Sequence, residues 1–380
     1  MDSLNAAAEK PALPDAASEQ TALLDAAKAQ AYLDVKKTLT LVARVFEGAG
    51  ASPEHAAAVA ENLVLAELRG VASHGLSRVK VYCDRLDSKL INLNPEYKFT
   101  QNGSAIVMDA DNGLGAPAGV AGMDKTIEAA RQYGVAACAV GNANHFGIAA
   151  YYGMRALAHD MIGMAFTSAP SNVAPWGGIK AYIGTNPLCY AVPAGERRPI
   201  VFDAATSIVA RGKIILAGIE GKPIPDGWAL DRNGNPTSDT AEALAGTVLP
   251  FGTYKGYGIS IFIDILCAML SGAEFGRHIG ELYANSGTRQ NLGHFFVALD
   301  ISKFTDVGLF KRRVDQMIDE IKANPRAPGV EEIYLPGEIE FDNEEINRKR
   351  GLEIGRGVMA ELAGACARYQ LSLDPNGCVI

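Results

Sequence analysis

A serine, a histidine and a glycine stand side by side in the segment RGVASHGLSRVKVY, residues 69–82. The imidazole of His74 has an unperturbed pKa near neutrality, so it could exchange a proton with a carbonyl oxygen. Arg78 and Tyr82 follow at four-residue intervals, a spacing that places them on one helical face, and a guanidinium matches a carboxylate bidentately. The pattern predicts a pocket for a small oxo acid. A solvated helix face remains the alternative explanation of Arg78 and Tyr82.

A second histidine lies in GNANHFGIAAYYGM, residues 141–154, after a predicted strand and before a predicted helix. Backbone amides at such a helix start suit a pyrophosphate, and Gly147 would let a ligand approach closely. The segment is therefore interpreted as a cofactor contact. The alternative is a turn histidine capped by Asn142 or Asn144.

Three further segments carry weaker signals. The turn Thr185-Asn186-Pro187 has the polar groups that suit a nicotinamide amide or a ribose. Asp203 ends an apolar strand, where an unpaired carboxylate would be costly, and this favours a histidine partner and a proton relay. Lys255-Gly256 begins an apolar helix, which is an anion-binding geometry, although a lone lysine there could equally be solvated.

A glycine pattern that imitates the dinucleotide fingerprint is disfavoured by its context. Gly113, Gly115 and Ala118 form G-x-G-x-x-A between a predicted strand and a helix. The next strand ends at Asn142 instead of the acidic residue that would bind a ribose hydroxyl. A tight glycine turn is the better interpretation.

The elements that must position these residues form a mixed α/β pattern. Helical spacing runs from Leu33 to Leu65, with Ser52 as an N-cap, and resumes after the Ser-His-Gly turn at about residues 76–86. Short apolar runs then alternate with Gly-rich turns and helical stretches, which is a strand-helix-strand rhythm. A helix from Lys255 to Gly272, a strand over LGHFFVALDI and two more helical stretches, FKRRVDQMIDEIKAN and GLEIGRGVMAELAGACARYQ, complete the chain.

These elements predict four parts in a chain of 380 residues, which exceeds one compact core. They are a flexible tail (1–22), an N-terminal helical segment with the Ser-His-Gly turn (23–103), an α/β cofactor-binding core (104–300) and a C-terminal helical segment packing with the N-terminal part (301–380).

Composition excludes several classes of function. The chain has 35 Lys and Arg against 43 Asp and Glu, and no basic cluster interleaved with aromatics, so nucleic acid is not an expected partner. No apolar run or signal-like start indicates a membrane or secretion, and a cytoplasmic protein is expected. The six cysteines show no metal-ligand spacing and are interpreted as reduced packing residues, and no metal is predicted.

Taken together, the motifs resemble the malate/L-lactate dehydrogenase family of the non-Rossmann type. The matching stretches run in family order over roughly residues 33–355 and include RGVASHGLSRVKVY, GNANHFGIAAYYGM, APWGGIKAYIGTNPL, FDAATSIVARGKI and KGYGISIFIDIL. The resemblance implies an NAD- or NADP-dependent enzyme with its own mixed-sheet α/β fold and no Rossmann fingerprint. It also implies a homodimer whose active sites are shared between subunits.

The resemblance also assigns roles to individual positions. His74 is implied as the acid/base, with Ser73 and Asp203 as its relay partners and Arg78 and Tyr82 on the substrate side. His145 could instead hold the acid/base role, so the division between the two histidines stays open. The positions implied on the cofactor side are His145, Phe146, Gly147, Ile148, Thr185, Asn186, Pro187, Asp203, Ala204, Ala205, Lys255 and Gly256.

The expected activity is the interconversion of a small 2-hydroxy acid, such as malate or lactate, and its 2-oxo acid. A cyclic-imine carboxylate reductase on the same scaffold is the alternative, because it needs the same carboxylate clamp. A serine hydrolase using Ser73 and His74 is disfavoured, since adjacent residues do not readily pair as nucleophile and base and no G-x-S-x-G elbow is present. A catalytically inactive binding protein is disfavoured by the joint presence of His74, Arg78, His145, Asp203 and Lys255.

Overall fold

The computed structural model describes residues 31–219, 221–283 and 287–371. The expected flexible tail over residues 1–22 lies outside the described residues, and so does Cys378. The other five cysteines are buried and carry no disulfide.

A seven-stranded mixed sheet forms the centre of the molecule, which confirms the predicted fold class. Its order is β2-β3-β4-β11-β5-β6-β7. The strands are β2 (Lys98–Asn102), β3 (Ala105–Asp109), β4 (Val135–Ala143), β5 (Met161–Thr167), β6 (Leu188–Val192), β7 (Ile200–Ala204) and β11 (Leu292–Asp300). Only β3 and β4 pair in parallel within this sheet, and the remaining neighbours are antiparallel.

Helix α4 (Gly115–Tyr133) joins β3 to β4 and contributes buried residues to the same core as the sheet. It begins at the second glycine of the imitation fingerprint. A Cβ on Gly115 would overlap the carbonyl oxygens of Asn144 and His145. The glycine therefore lets the helix start approach the second histidine segment closely, which is a packing role.

The N-terminal helices share a second core with the end of the chain. The helices α1 (Val35–Gly48), α2 (Pro53–Leu68) and α3 (Val79–Asp87) pack with α11 (Arg356–Arg368). The predicted N-cap is confirmed, because Ser52 Oγ accepts a hydrogen bond from the His55 amide at 3.2 Å. Two short strands, β1 (Ala31–Leu33) and β12 (Leu352–Ile354), pair antiparallel beside these helices.

A group of short helices and strands with a small core of its own follows β7. It contains α6 (Arg211–Ile219), the two-residue strands β8 (Ala229–Leu230), β9 (Pro236–Thr237) and β10 (Thr247–Val248), and α7 (Thr240–Ala245). Helix α8 (Tyr254–Asp264) comes next and changes to a π-helical turn over Ile265–Met269. The helix predicted from Lys255 to Gly272 is thus present but irregular in its second half.

Two more helices complete the fold. Helix α9 (Val307–Lys322) packs Val314 and Ile318 against Ile200 of β7. Helix α10 (Glu338–Arg350) meets the end of α2, where Asn347 Nδ2 donates to the Leu68 carbonyl at 2.9 Å. The prediction of helix from the start of GLEIGRGVMAEL was wrong for its first residues, because Leu352–Ile354 pair with β1 as a strand. The four-part division of the chain stays a prediction.

Within the described residues, no helix combines the length and the apolar character needed to cross a membrane.

Candidate active site

The Ser-His-Gly segment forms a tight turn between α2 and α3. Ala72–His74 make one turn of 3-10 helix and Leu76–Arg78 make another. Ser73 Oγ lies 2.9 Å from His74 Nδ1, so the hydroxyl holds one ring nitrogen and leaves Nε2 of the same ring without a hydrogen bond to the described residues. The turn thus presents an oriented imidazole.

Tyr82 and the second histidine meet directly. The Tyr82 hydroxyl lies 2.6 Å from His145 Nδ1, and the rings of His74 and His145 stack with their centroids 5.7 Å apart. The structure therefore brings together both predicted histidines, Ser73 and Tyr82, although the two histidine segments are far apart in the chain.

Both histidines are kept neutral by their surroundings. Burial, followed by the positive charge of Arg78, lowers the pKa of His74 to about 4. Burial also lowers the pKa of His145 well below its ordinary value, and Arg78 and His74 add to that effect. Each ring is therefore uncharged at neutral pH and can accept a proton.

Arg78 is a partly buried cation beside the two histidines. Its guanidinium lies over the ring of Tyr283, 5.4 Å from the ring centroid. Its Nε atom is buried and has no hydrogen-bond partner, and no ion pair is found for it in the part of the chain that the structure describes. Burial lowers its pKa from the ordinary arginine value. A buried guanidinium of this kind is costly unless an anion meets it.

The His145 segment is a loop held by buried amides. Asn62 on α2 contacts the backbone of residues 146 and 148, and Gln290 Oε1 accepts from the His145 amide at 3.0 Å. Gln290 Nε2 is buried beside this bond without a partner. The alternative that Asn142 or Asn144 caps the histidine is not observed, because Asn144 Nδ2 donates to the Gly113 carbonyl at 2.8 Å and Asn142 Nδ2 to Asp109 at 2.9 Å.

Asp203 has a backbone partner where the sequence suggested a histidine. Its Oδ2 accepts from the Ala150 amide at 2.7 Å, at the start of the four-residue helix α5 (Ala150–Gly153). Desolvation by the surrounding protein raises the pKa of its carboxyl group above the ordinary value. No hydrogen bond joins Asp203 to His74 within the described ranges, so the relay rests on the family resemblance. The Ala150 amide at the start of α5 is therefore not free to bind the pyrophosphate that the sequence suggested for this helix start.

The remaining cofactor-side segments converge at one corner, which we call the β6–β7 corner and define as residues 185–187, 204–206 and 255–256. The Thr206 amide donates to the Thr185 carbonyl at 2.8 Å. A Cβ on Gly256 would lie 3.0 Å from the Thr206 carbonyl oxygen. Thr185, Pro187, Ala204 and Ala205 are half-buried and Lys255 is exposed, so the corner presents an open surface.

Asn186 differs from its neighbours in this corner. Its side chain is fully buried, with Oδ1 accepting from the Ala169 amide at 2.9 Å and Nδ2 donating to the Ser260 carbonyl at 2.9 Å. These bonds tie the turn to α8. The side chain of Asn186 therefore supports the corner from behind, whereas Thr185 and Pro187 face outward enough to meet a ligand.

The corner and the histidine loop are connected through the sheet. The Thr167 amide donates to the Pro187 carbonyl at 3.3 Å, and Thr167 Oγ1 lies 2.8 Å from His294 Nδ1. The His294 ring stacks on Phe146 at 4.4 Å between centroids. The predicted cofactor residues Phe146 and Ile148 are themselves buried, and they form the base of the loop that presents His145.

Sequence reasoning missed three residues that shape the site: Asn62, Glu67 and Gln290. Glu67 is buried, and its Oε1 accepts from the Leu76 amide at 2.7 Å, directly beyond the Ser-His-Gly turn. A polar residue in the apolar face of α2 was the available signal for Asn62 and Glu67. Gln290 carried no comparable signal.

The chain matches the family model described as malate/L-lactate dehydrogenase over residues 33–363. It is 38% identical over 342 residues to a malate dehydrogenase of Pyrococcus horikoshii, covering 87% of this chain and 94% of that protein. It is 36% identical over 307 residues to ureidoglycolate dehydrogenase (NAD(+)) of Escherichia coli O157:H7, covering 80% and 87%. It is 35% identical over 338 residues to (2R)-3-sulfolactate dehydrogenase (NADP(+)) of Chromohalobacter salexigens, covering 87% and 96%.

Solved structures agree with this assignment. Sulfolactate dehydrogenase from Methanocaldococcus jannaschii superposes with a TM-score of 0.85 at 38% identity, covering 90% of this chain and 98% of that one. The delta1-piperideine-2-carboxylate reductase from Pseudomonas syringae superposes with a TM-score of 0.79 at 27% identity, covering 88% and 99%. With a family match across most of its length and relatives of this similarity, the chain belongs to the malate/L-lactate dehydrogenase family of oxidoreductases.

Proposed function

We propose that the protein is an NAD- or NADP-dependent dehydrogenase that interconverts a small 2-hydroxy acid, malate-like or lactate-like, and its 2-oxo acid. The observation that carries the proposal is Arg78, a partly buried guanidinium with no counter-ion in the described residues and next to two neutral histidines. A substrate carboxylate would complete this site, because a planar guanidinium binds it bidentately.

Each residue of the site has a separate role in the proposed reaction. Arg78 holds the carboxylate and thereby fixes the reacting carbon near the histidines. In oxidation the neutral ring of His74, oriented by Ser73, takes the proton from the substrate hydroxyl and becomes the imidazolium. In reduction His74 must first be protonated, which a bound carboxylate favours by offsetting the charge of Arg78, and the imidazolium then gives its proton to the 2-oxo oxygen. Tyr82 holds His145 beside the same position. The proposal includes Asp203 as a relay partner of His74, and it includes the choice of His74 over His145 as the acid/base.

The residues present fit a nicotinamide cofactor. The β6–β7 corner offers a half-buried surface beside the loop of His145, and Gln290 Nε2 is a buried donor without a partner next to that loop. We assign the cofactor to this corner, with Thr185, Pro187, Ala204 and Lys255 as its contacts. When bound, such a cofactor supplies or accepts the hydride. Among the relatives, one name carries NAD(+) and another NADP(+).

A homodimer is part of the proposal. Large apolar side chains are exposed along α8 and its π-helical turn, and Phe262, Ile265 and Met269 are 57%, 44% and 53% exposed. Exposed apolar surface of this extent marks an interface, and a second copy of the chain is the occupant that we assign, because the same helix begins at the cofactor corner. A cytoplasmic location completes the proposal.

Sedimentation tests the dimer. We expect the wild-type protein to sediment as a dimer and Phe262→Asp to sediment as a monomer with reduced activity. A fully active wild-type monomer would exclude the shared site.

The experiment that tests the activity is a substrate panel. Each of a set of 2-oxo acids and cyclic imine carboxylates is offered with NADH and with NADPH, and the absorbance of the reduced nicotinamide is followed. We expect turnover of at least one 2-oxo acid, and loss of that turnover in Arg78→Ala. Turnover of cyclic imines alone would favour the reductase alternative, which the P. syringae neighbour supports. No turnover with any pair would reject the proposal.

A further inference from the structure

Helix α2 passes beneath both histidine segments and contacts each of them through one buried polar side chain. The first is Asn62, which is 1% exposed. Its Nδ2 donates to the carbonyls of Phe146 and Ile148 at 3.0 and 3.4 Å, and its Oδ1 accepts from the Ile148 amide at 3.2 Å. A single amide group thus satisfies backbone groups on both sides of Gly147.

The loop closes tightly around this amide. Gly147 has φ +79°, a region that favours glycine. A Cβ at this position would overlap Asn62 Oδ1. The backbone that carries His145 therefore cannot shift toward α2 and can shift away only by losing these hydrogen bonds.

The second contact is made by Glu67, five residues further along the same helix and 8% exposed. Its Oε1 accepts from the Leu76 amide at 2.7 Å. A Cβ on Gly75 would overlap the same carboxylate. Burial raises the pKa of Glu67 to about 7, since only one backbone amide compensates for the lost water. The turn that carries His74 therefore packs tightly against Glu67. The loop that carries His145 packs against Asn62 in the same way.

We propose that α2 sets the separation of the two histidines, with Asn62 as the positioning residue of His145 and Glu67 as the positioning residue of His74. Five residues of α-helix separate the two contacts by about 7–8 Å along a rigid axis. The stacked rings, 5.7 Å apart, are the result of that spacing. The inference rests on the proposed function only for its catalytic consequence, because the positioning itself is a property of the free protein.

The first arm of the test compares Glu67→Ala with Glu67→Gln. Glutamine keeps an acceptor for the Leu76 amide, whereas alanine leaves this buried amide unsatisfied and the turn free to move. We expect Glu67→Ala to lower kcat about ten- to a hundredfold, the scale of a small misplacement of a reacting group, with cofactor affinity unchanged. We expect Glu67→Gln to retain most of the activity.

A matched control is available on the same helix. Glu61 accepts a hydrogen bond from the Tyr151 hydroxyl at 2.7 Å and touches neither histidine. Glu61→Ala removes a carboxylate contact of similar length, and its kcat should stay within about twofold of the wild type. An equal loss of kcat in Glu61→Ala and Glu67→Ala would overturn the proposal, because the effect would then follow from any lost contact of α2.

The second arm needs no substrate. The protein is prepared with isotope-labelled histidine, and the resonances of His74 and His145 are assigned with single His→Gln variants. Glu67→Ala should move the His74 resonance more than that of His145, and Asn62→Ala should do the reverse. If Asn62→Ala does not fold, Asn62→Asp keeps the acceptor for Ile148 and removes both donors. Unmoved histidine resonances in the folded variants would overturn the positioning roles even if the enzyme were active.

A failure of the proposed function can be distinguished from a failure of the positioning roles. If no substrate is turned over but the resonances move as expected, the proposed function fails and the positioning roles stand. If turnover is found and Glu67→Ala retains full kcat, the positioning role of Glu67 fails while the proposed function stands.

Discussion

The two histidine segments of the site are built differently. His74 lies in a short 3-10 turn, bonded to the adjacent Ser73 hydroxyl and held by one carboxylate at the end of the turn. His145 lies in a loop whose backbone is fixed by Asn62 and Gln290 and whose ring is bonded to Tyr82. For this reason the proposed function assigns the proton exchange to His74 and a fixed position beside it to His145.

In the proposed function Arg78 links the two histidine segments to the substrate. Its charge is one cause of the lowered pKa of each histidine. A carboxylate bound at Arg78 offsets that charge, so the pKa of His74 should rise when substrate binds. In the proposed function the same guanidinium therefore binds the substrate and, after burial, is the second cause of the lowered pKa of His74 in the free enzyme.

Replacing His74 tests the difference between the segments most strongly. We expect His74→Ala to lower kcat at least about a hundredfold, the usual scale of losing one general acid/base, with little change in cofactor affinity. Steady-state kinetics and a fluorescence titration with the cofactor measure the two quantities. Near-normal kcat in His74→Ala, together with a large loss in His145→Ala, would exchange the roles of the two segments.

Arg78→Lys should have the next largest effect. Lysine keeps the positive charge but loses the planar fork, and a lost charge-assisted hydrogen bond costs about 1.5–3 kcal/mol. The expected fall in kcat/KM is about ten- to over a hundredfold, mostly through KM, with dinucleotide affinity unchanged. If cofactor affinity collapses while the substrate KM stays constant, Arg78 belongs to the dinucleotide site.

The pH profile sharpens the comparison with a smaller effect. In the oxidation direction His74 must be neutral to accept the proton, so activity falls as pH drops through its pKa. For kcat/KM, which reports the free enzyme, that acidic limb should lie near pH 4. For kcat, which reports the complex, the limb should lie at higher pH because the bound carboxylate offsets Arg78. Identical limbs in both profiles would contradict the coupling, and brief assays from a neutral stock avoid acid inactivation.

The smallest expected effect is that of chelation. No group of three or more His, Cys, Asp or Glu side chains placed to hold a metal ion occurs within residues 31–219, 221–283 and 287–371. We expect EDTA to leave activity unchanged, since the proposed chemistry needs only Arg78, the histidines and the cofactor. Activity lost with EDTA and restored by zinc would show that the site is incomplete as described.

The sequence by itself determined the features that depend on neighbouring residues. The Ser52 cap and the helix after it follow from local spacing, and the structure contains both. The short apolar runs between Gly-rich turns likewise include strands β5, β6 and β7 of the structure. Ser73, His74, Arg78 and Tyr82 could be grouped because they lie within ten residues of one another. The order of motifs along the chain was enough to indicate the family, which the comparisons confirm.

Only the tertiary structure decided which of these residues meet. The stacking of His74 on His145 and the bond between Tyr82 and His145 depend on how the loop after β4 meets the Ser-His-Gly turn and α3. Asp203 obtained the Ala150 amide as its partner, because the pairing of β6 with β7 brings the carboxylate to the start of α5. Asn62 and Glu67 stand out in the sequence only as polar residues in an apolar helix face, and the backbone groups that they bind could not be identified from that signal. Such contacts are set by the packing of whole helices and strands, which local spacing does not encode.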